Sequence, residues 1–120
     1  MDLTKSAGLE VYFDPENGEL IFPQIPDFSG PAIRKLDDAR DFLMDPQSTG
    51  PDVLYWMYRG VSLPQDREKI ESANLRYDIT VLSPGKIGKE YVKTIGHYHP
   101  KTPGGEAYPE IYEVLFGNAL

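Results

Sequence analysis

The chain has 120 residues, of which 40% are apolar and 12% aromatic, a composition that suits one folded domain with a core rather than a disordered chain. Its net charge of −7, without a Lys/Arg cluster, argues against nucleic acid and anionic membranes as partners. The absence of cysteine excludes disulfides and thiolate metal sites, and no apolar run or signal-peptide pattern points away from the cytoplasm, where we expect the protein.

The first half of the chain predicts a hairpin, an irregular arm and one helix. Apolar runs within residues 9–22 flank the turn pair Asn17-Gly18, a strong signal for a β-hairpin. Residues 23–31 hold three prolines and predict an extended arm. Residues 32–44 place apolar side chains on one face of a helix, which we expect to be the N-terminal helix of the fold. That face consists of Ile33, Leu36 and Leu43, widened by Phe42 and Met44.

The second half predicts short strands joined by turns rich in Pro and Gly. Either a loop or a single helical turn fits the polar residues 64–74, whereas residues 83–88 and 100–109 predict a turn and a loop. The expected strands cover residues 53–61, 75–82, 89–99 and 110–117. Short strands with such turns are typical of a sandwich or small barrel. We therefore expect a single domain, with a lead-in over about residues 1–50 and barrel strands over about residues 51–120.

Both histidines of the chain, His97 and His99, stand one residue apart on the expected strand 89–99. Alternate residues of a strand share a face, so the two imidazoles would project together, about 6–7 Å apart along the chain. Both could then reach one divalent ion. An antiparallel return would set Glu110 or Tyr112 opposite them, and two histidines with one carboxylate form a facial triad for metals. A structural pair of strand histidines is the alternative.

The motifs around these histidines resemble a known superfamily. The first motif of the cupins is similar to the run TIGHYH, followed by a turn and then by PEIYEVLFG. In the second run, Glu110 precedes Gly117 by seven residues, as in that motif. The runs VLYWMY, ITVLSPGKIGKE and PGKIGKEYVKTIGHYHPK narrow the resemblance to the cupin-type glucose-6-phosphate isomerases, found mainly in archaea. It covers residues 50–117, and residues 1–50 fit more loosely. The resemblance implies a mainly β fold, a partial cupin-like antiparallel barrel or jelly roll with one N-terminal helix.

The sequence departs from the family pattern in three ways. Glu106 and Glu110 lie seven and eleven residues after His99, and the spacing to Gly117 favours Glu110 as the carboxylate, which leaves Glu106 in a loop at the mouth of the site. No histidine follows His99 to supply the later metal ligand of the family. The later residues that close on the sugar phosphate also have no counterpart. We expect either a natural chain that continues past Leu120, with activity only in the longer form, or a catalytically impaired copy.

The resemblance implies a role for each candidate residue. His97, His99 and Glu110 would bind one divalent metal ion, Fe(II) in the first place, with Zn, Ni or Mn as alternatives. Glu110 would also be catalytic, as a base that moves a proton between C1 and C2 of the sugar. Tyr112 lies on the same face of the expected strand as Glu110, and its position predicts a catalytic hydroxyl that orients the substrate. The residues implied in binding the phosphate are Tyr55, Thr80, Thr94 and Gly96. Packing in strands and core is the ordinary alternative for the tyrosines and threonines.

The implied reaction interconverts glucose 6-phosphate and fructose 6-phosphate, a step of glycolysis and gluconeogenesis. Hydrogen moves from C2 to C1 either as a proton through an enediol or as a hydride, and the sequence leaves both routes open. A cupin metal dioxygenase and a non-catalytic or truncated sugar-phosphate-binding cupin are the alternative functions. For partners, the resemblance implies a sugar-phosphate substrate and a homodimer, and we expect neither nucleic acid nor membrane.

Overall fold

A computed structural model describes residues 1–119 as a mainly β fold of small antiparallel sheets and short helices. Two hairpins are formed by β1 (Tyr12–Asp14) with β2 (Glu19–Ile21) and by β6 (Lys86–Ile87) with β7 (Glu90–Tyr91). The central sheet has three strands in the order β3 (Ala32–Lys35), β4 (Val53–Tyr58) and β5 (Ile79–Leu82). The helices are α1 (Thr4–Ala7), α2 (Arg67–Ser72) and the 3-10 helices Leu36–Phe42 and Pro64–Asp66. The sheets do not close into a barrel within residues 1–119, and the expected partial, mainly β cupin-like fold is confirmed.

The first hairpin forms where its turn pair predicts it. The N–H of Gly18 donates to the carbonyl of Asp14 at 2.9 Å, and Gly18 has a φ of +76°, which favours glycine. The indole of Trp56 lies so close to this turn that a Cβ on Gly18 would stand 2.7 Å from it. The buried hydroxyl of Tyr58 accepts a hydrogen bond from the N–H of Leu20 at 2.8 Å. These contacts fix the hairpin against the central sheet.

The central sheet separates two groups of buried side chains. Trp56 points with Tyr58 towards the hairpin, whereas Tyr55 and Met57 point to the opposite side, as alternation along a strand requires. The hairpin-side cluster consists of Leu3, Val11, Leu20, Phe22, Ile25, Tyr58, Val61 and Ile79. The helix-side cluster consists of Leu36, Ala39, Leu43, Leu54, Tyr55 and Ile87, with Met57, Val92 and Ile95 packed against it.

A bulge in β4 increases the number of side chains that reach the helix-side cluster. Arg34 pairs with Tyr55, but the next residue, Lys35, pairs with Val53, so Leu54 is an extra residue in β4. Two residues then oppose one across the strands, which disturbs the alternation locally. Leu54 and Tyr55, although adjacent in sequence, are both buried in the helix-side cluster.

The helix predicted over residues 32–44 is wrong in its first part. Ala32–Lys35 form β3, because the edge of β4 offers these residues a complete set of antiparallel partners. A 3-10 helix begins at the next residue, Leu36, and the N–H of Lys35 caps its start by donating to the carboxylate of Asp38 at 2.9 Å. Leu36 and Leu43 are buried as expected. The other three members of the predicted apolar face are exposed, namely Ile33, Phe42 and Met44.

The strands predicted near the histidines are also shorter than expected or missing. Of the strand predicted over residues 75–82, only the part that forms β5 is a strand. Of the strand predicted over residues 89–99, only the part that forms β7 is a strand. Residues 110–117 form no strand, and part of the turn predicted at residues 83–88 is β6. Apolar alternation makes a strand only where another strand accepts its backbone hydrogen bonds. Within residues 1–119, the backbone pairing across the predicted loop at residues 100–109 is limited to the antiparallel bridge of Lys101 with Ala107.

The helices of the fold are all short. For the polar residues 64–74, the sequence allowed either a loop or a single helical turn. The segment is helical, since it contains the 3-10 helix Pro64–Asp66 followed by α2. The residues of α2 are exposed or half-buried, so this helix contributes little to the core. Within residues 1–119, no helix has both the length and the apolar character needed to cross a membrane.

Candidate active site

The segment that carries both histidines is anchored through Ile95. Its side chain packs against the helix-side cluster, and its N–H donates to the hydroxyl of Tyr55 at 3.2 Å. Tyr55 is only 3% exposed, so this hydroxyl is a fixed acceptor on the central sheet. On the other side of the same residue, the carbonyl of Ile95 lies 3.0 Å from Nδ1 of His97. A continuous series of contacts therefore runs from the core to the first histidine.

The contact with Ile95 also defines the tautomer of His97. A carbonyl oxygen can only accept, so Nδ1 must carry the proton that lies between the two atoms. In the neutral ring, Nε2 then holds the free lone pair, which is the atom a metal ion would take. Nδ1 donating to a backbone carbonyl while Nε2 faces outward is a common arrangement for ligating histidines.

The two imidazoles lie side by side, although the segment is not a strand. The ring centroids of His97 and His99 are 5.1 Å apart, and the ring planes differ by only 5°. His97 is exposed and the side chain of His99 is 23% exposed, so a ligand can approach both from solvent. The irregular backbone of residues 92–99 thus produces the pairing of rings that alternation on a strand would have produced.

Glu110 joins this pair from the far side of the loop. Its Oε1 lies 2.9 Å from Nε2 of His99 and accepts a hydrogen bond from the hydroxyl of Tyr112 at 2.6 Å. The bond to the Glu110 carboxylate raises the pKa of the Tyr112 phenol, because ionisation of the phenol would place two negative charges together. Glu106 instead lies within the loop, exposed, where its carbonyl accepts from the N–H of Thr102 at 2.7 Å. The structure therefore brings Glu110 rather than Glu106 to the histidines.

The donor atoms suit a divalent metal in kind, but their arrangement does not form a metal site. In the part of the chain covered by the structure, residues 1–119, no three His, Asp or Glu side chains are disposed to hold one ion. His99 and Glu110 contact each other directly through the atoms that would ligate. A metal ion bound by both of these atoms would replace the proton that lies between them.

The residues implied in phosphate binding lie on or above the helix-side face of the central sheet. Met57 pairs with Thr80 across β4 and β5, so Thr80 shares a face with Met57 and Tyr55. Thr94 and Gly96 flank Ile95 and are both exposed. The structure thus brings the segment 94–96 to Tyr55, and it leaves Thr80 further along the same face.

The buried hydroxyl of Tyr55 is expected to hold the histidine segment in place. Tyr55→Phe keeps the ring and removes the acceptor of the Ile95 N–H, so we expect a loss of about 1–3 kcal/mol in the free energy of unfolding and faster hydrogen exchange at Ile95. Urea denaturation and amide exchange measure these effects. Tyr91→Phe is the matched control, because Tyr91 is 59% exposed, and we expect a change below about 0.5 kcal/mol. Unaltered exchange at Ile95 in Tyr55→Phe would contradict the anchoring role.

Known proteins resemble most of this chain. The profile of the family described as glucose-6-phosphate isomerase (GPI) matches residues 33–120. The glucose-6-phosphate isomerase of Thermococcus gammatolerans is 35% identical over 81 residues, that of Thermococcus litoralis 31% over 83, and that of Pyrococcus furiosus 30% over 83. These alignments cover 63% or 64% of this chain but only 40% or 41% of each relative. The chain thus spans about 40% of the length of these relatives. No solved structure matches the chain.

A mainly β, partial cupin-like fold that groups two imidazoles, a carboxylate and a phenol identifies the class of the protein as cupin-type. The matched region runs from residue 33, within β3, and includes every residue of this group. The chain belongs to the cupin-type glucose-6-phosphate isomerase family. The match begins earlier than residue 50, where the quoted motifs begin, so β3 and the 3-10 helix belong to the shared region as well.

Proposed function

We propose that the protein is an aldose–ketose isomerase that interconverts glucose 6-phosphate and fructose 6-phosphate. The family match over residues 33–120 supports an isomerase, and the names of the relatives support this substrate pair. The single observation that carries the proposal is the meeting of His99 and Glu110 at 2.9 Å across a loop, with Tyr112 on the same carboxylate oxygen. This arrangement places a basic oxygen, an imidazole and a hydroxyl within reach of one small polar ligand.

In the proposed reaction, Glu110 acts as a base on the open-chain sugar. Its carboxylate takes the proton from C2, the C2–H electron pair becomes a C1–C2 double bond, and the carbonyl oxygen on C1 takes a proton from solvent, which gives an enediol. The hydroxyl on C2 then loses its proton to solvent and becomes the ketone, while C1 receives the proton from Glu110. Tyr112, whose phenol stays protonated because its pKa is raised, orients Glu110 by donating to it.

A divalent metal is part of this proposal as a cofactor, with Fe(II) first and Zn, Ni or Mn as alternatives. Bound to His97, His99 and Glu110, it would supply electrostatic stabilisation of the negative charge that develops on the sugar oxygens. The tautomer of His97 supports the proposal, since the proton on Nδ1 leaves the lone pair of Nε2 for a metal ion. The ion would take the place of the proton between His99 and Glu110.

A second function, sugar-phosphate binding without turnover, is favoured by a specific contact. Nε2 of His99 and Oε1 of Glu110 contact each other directly. While this contact persists, the two atoms bind no metal ion and Glu110 takes no proton from a sugar. The phosphate-binding candidates Tyr55, Thr80, Thr94 and Gly96 do not depend on that contact. A binding protein would therefore keep the phosphate subsite and lack the chemistry.

Isomerisation and binding assays on the same preparation separate the two functions. We expect the 120-residue chain to bind glucose 6-phosphate in calorimetry, and a form extended past Leu120, when loaded with Fe(II), to convert it to fructose 6-phosphate in a coupled assay. Deuterium from solvent should enter the product at C1, because the proton passes through Glu110. Binding without product would support the binding function. Oxygen consumption in place of isomerisation would indicate a dioxygenase and refute the proposal.

A further inference from the structure

The side chain of Arg34 contains a buried nitrogen that lacks a hydrogen-bond partner within residues 1–119. Arg34 lies on β3 directly opposite Tyr55, and directly opposed residues of paired strands project to the same face of a sheet. Its Nε is closed off from solvent and has no hydrogen-bond partner within residues 1–119. No carboxylate in that part of the chain forms an ion pair with Arg34. Buried donors are almost always paired, so an unpaired one on a permanent cation calls for an explanation.

What Arg34 lacks is an acceptor that carries negative charge. A guanidinium presents donors in a planar fork that fits the oxygens of a phosphate or a carboxylate in pairs. The chain itself has 19 acidic residues, yet those within the structure leave this guanidinium unpaired. Arg34 is only half-buried, so an anion from solvent can reach its outer nitrogens.

The surroundings of Arg34 favour a phosphate over other anions. Tyr55 stands beside it, and Thr80 lies on the same face two strands away. The segment 94–96, with an exposed threonine hydroxyl and an exposed glycine, is held over Tyr55 by the Ile95 contact. These neutral donors suit phosphate oxygens but supply no charge. Because the chain carries a net charge of −7, binding of a dianion needs a local cation, and Arg34 provides it.

We propose that Arg34 binds the phosphate of a sugar phosphate on the helix-side face of the central sheet. The inference deepens the proposed function and rests on it for the choice of a phosphate ester among oxyanions. The site itself requires only that the guanidinium pair with phosphate oxygens, so inorganic phosphate and the sugar phosphate should share it. Glucose, which has no anionic group, should not depend on Arg34.

Calorimetric titration of the 120-residue chain with inorganic phosphate, glucose 6-phosphate and glucose tests this site. In Arg34→Gln we expect affinity for both phosphate compounds to fall by at least about tenfold, and any binding of glucose to stay unchanged. Arg67→Gln is the matched control, because Arg67 is exposed on α2 and the charge change is the same. We expect its affinities to stay within about twofold of the original chain. The melting temperature of Arg34→Gln should not fall, since the lost cation has no protein partner.

Two further results keep the inference open to refutation. Arg34→Lys retains charge and stem but loses the fork, and we expect an intermediate loss of phosphate affinity even if the glutamine variant does not fold. Original affinity for phosphate in either folded variant, or no binding of phosphate by the original chain, overturns the inference. Binding that depends on Arg34 without isomerisation would refute the proposed function alone. Isomerisation with an unchanged KM in Arg34→Gln would refute the inference alone.

Discussion

Replacement of His97 and His99 together by alanine is expected to abolish binding of divalent metal and, with it, isomerisation. Both rings face one side with their planes nearly parallel, and they are the only histidines of the chain. Glu110 alone cannot hold a transition metal firmly. Loss of a group that only supports a ligand costs about 10–100-fold in metal affinity, so loss of two ligands should exceed that range. Titration with Zn²⁺ or Ni²⁺, followed by calorimetry, measures the affinity.

The residue between the histidines provides the control for this experiment. Tyr98 is fully exposed, so Tyr98→Ala disturbs the same segment without removing a metal ligand. We expect it to bind metal as the original chain does. The double variant should also unfold at nearly the same urea concentration, because His97 is exposed and His99 is only part-buried. Metal affinity that survives in a folded double variant would refute the assignment of both ligands.

Replacement of Gly18 by alanine is expected to destabilise the fold by about 2–4 kcal/mol. Two effects combine at this position. A non-glycine residue at a φ of +76° costs about 1–2 kcal/mol in backbone strain, and a Cβ placed 2.7 Å from the indole of Trp56 forces either the turn or the ring to move. Pairing of β4 on both sides holds the backbone of Trp56, and its indole packs against the hairpin-side cluster, so the ring cannot yield freely. Thermal or urea unfolding, followed by the fluorescence of this single tryptophan, measures the loss.

Gly8 separates the two effects. Its φ of +72° is close to that of Gly18, but a Cβ there would meet no atom within 4 Å. Gly8→Ala should therefore show the strain alone, about 1–2 kcal/mol. The difference between the two variants measures the packing of the hairpin turn against Trp56. Equal losses in both variants would mean that this packing adds nothing to stability.

The sequence predicted those elements whose cause is local. The hairpin depends on the pair Asn17-Gly18, whose backbone preference acts within four residues, and its observed strands lie within the predicted range of residues 9–22. The aromatic strand β4 was recognised for a similar reason, since its side chains suit a pleated, buried surface. The prediction placed Glu110 or Tyr112 opposite the histidines through an antiparallel strand, and Glu110 does meet His99 although that strand does not form.

The errors arose where distant partners decide the structure. Residues 32–35 have a helical pattern, but the edge of β4, some twenty residues later, makes them a strand. That error hid Arg34, because a helix would have turned its side chain away from Tyr55. Residues 92–99 and 110–117 alternate as strands do, yet neither segment pairs with a neighbouring strand within residues 1–119. Local pattern cannot supply a missing pairing partner.

Glu110 and His99 are attached to different parts of the molecule. His99 follows Ile95, which packs with the helix-side cluster, whereas Glu110 precedes Leu115 and Phe116, which lie with the hairpin side, Phe116 at 5.9 Å from the ring of Phe13. The position of Glu110 relative to His99 therefore depends on the packing of Phe116 against Phe13 as well as on the helix-side cluster, so a substitution at Phe13, far from the site in sequence, should affect the carboxylate more than the imidazole.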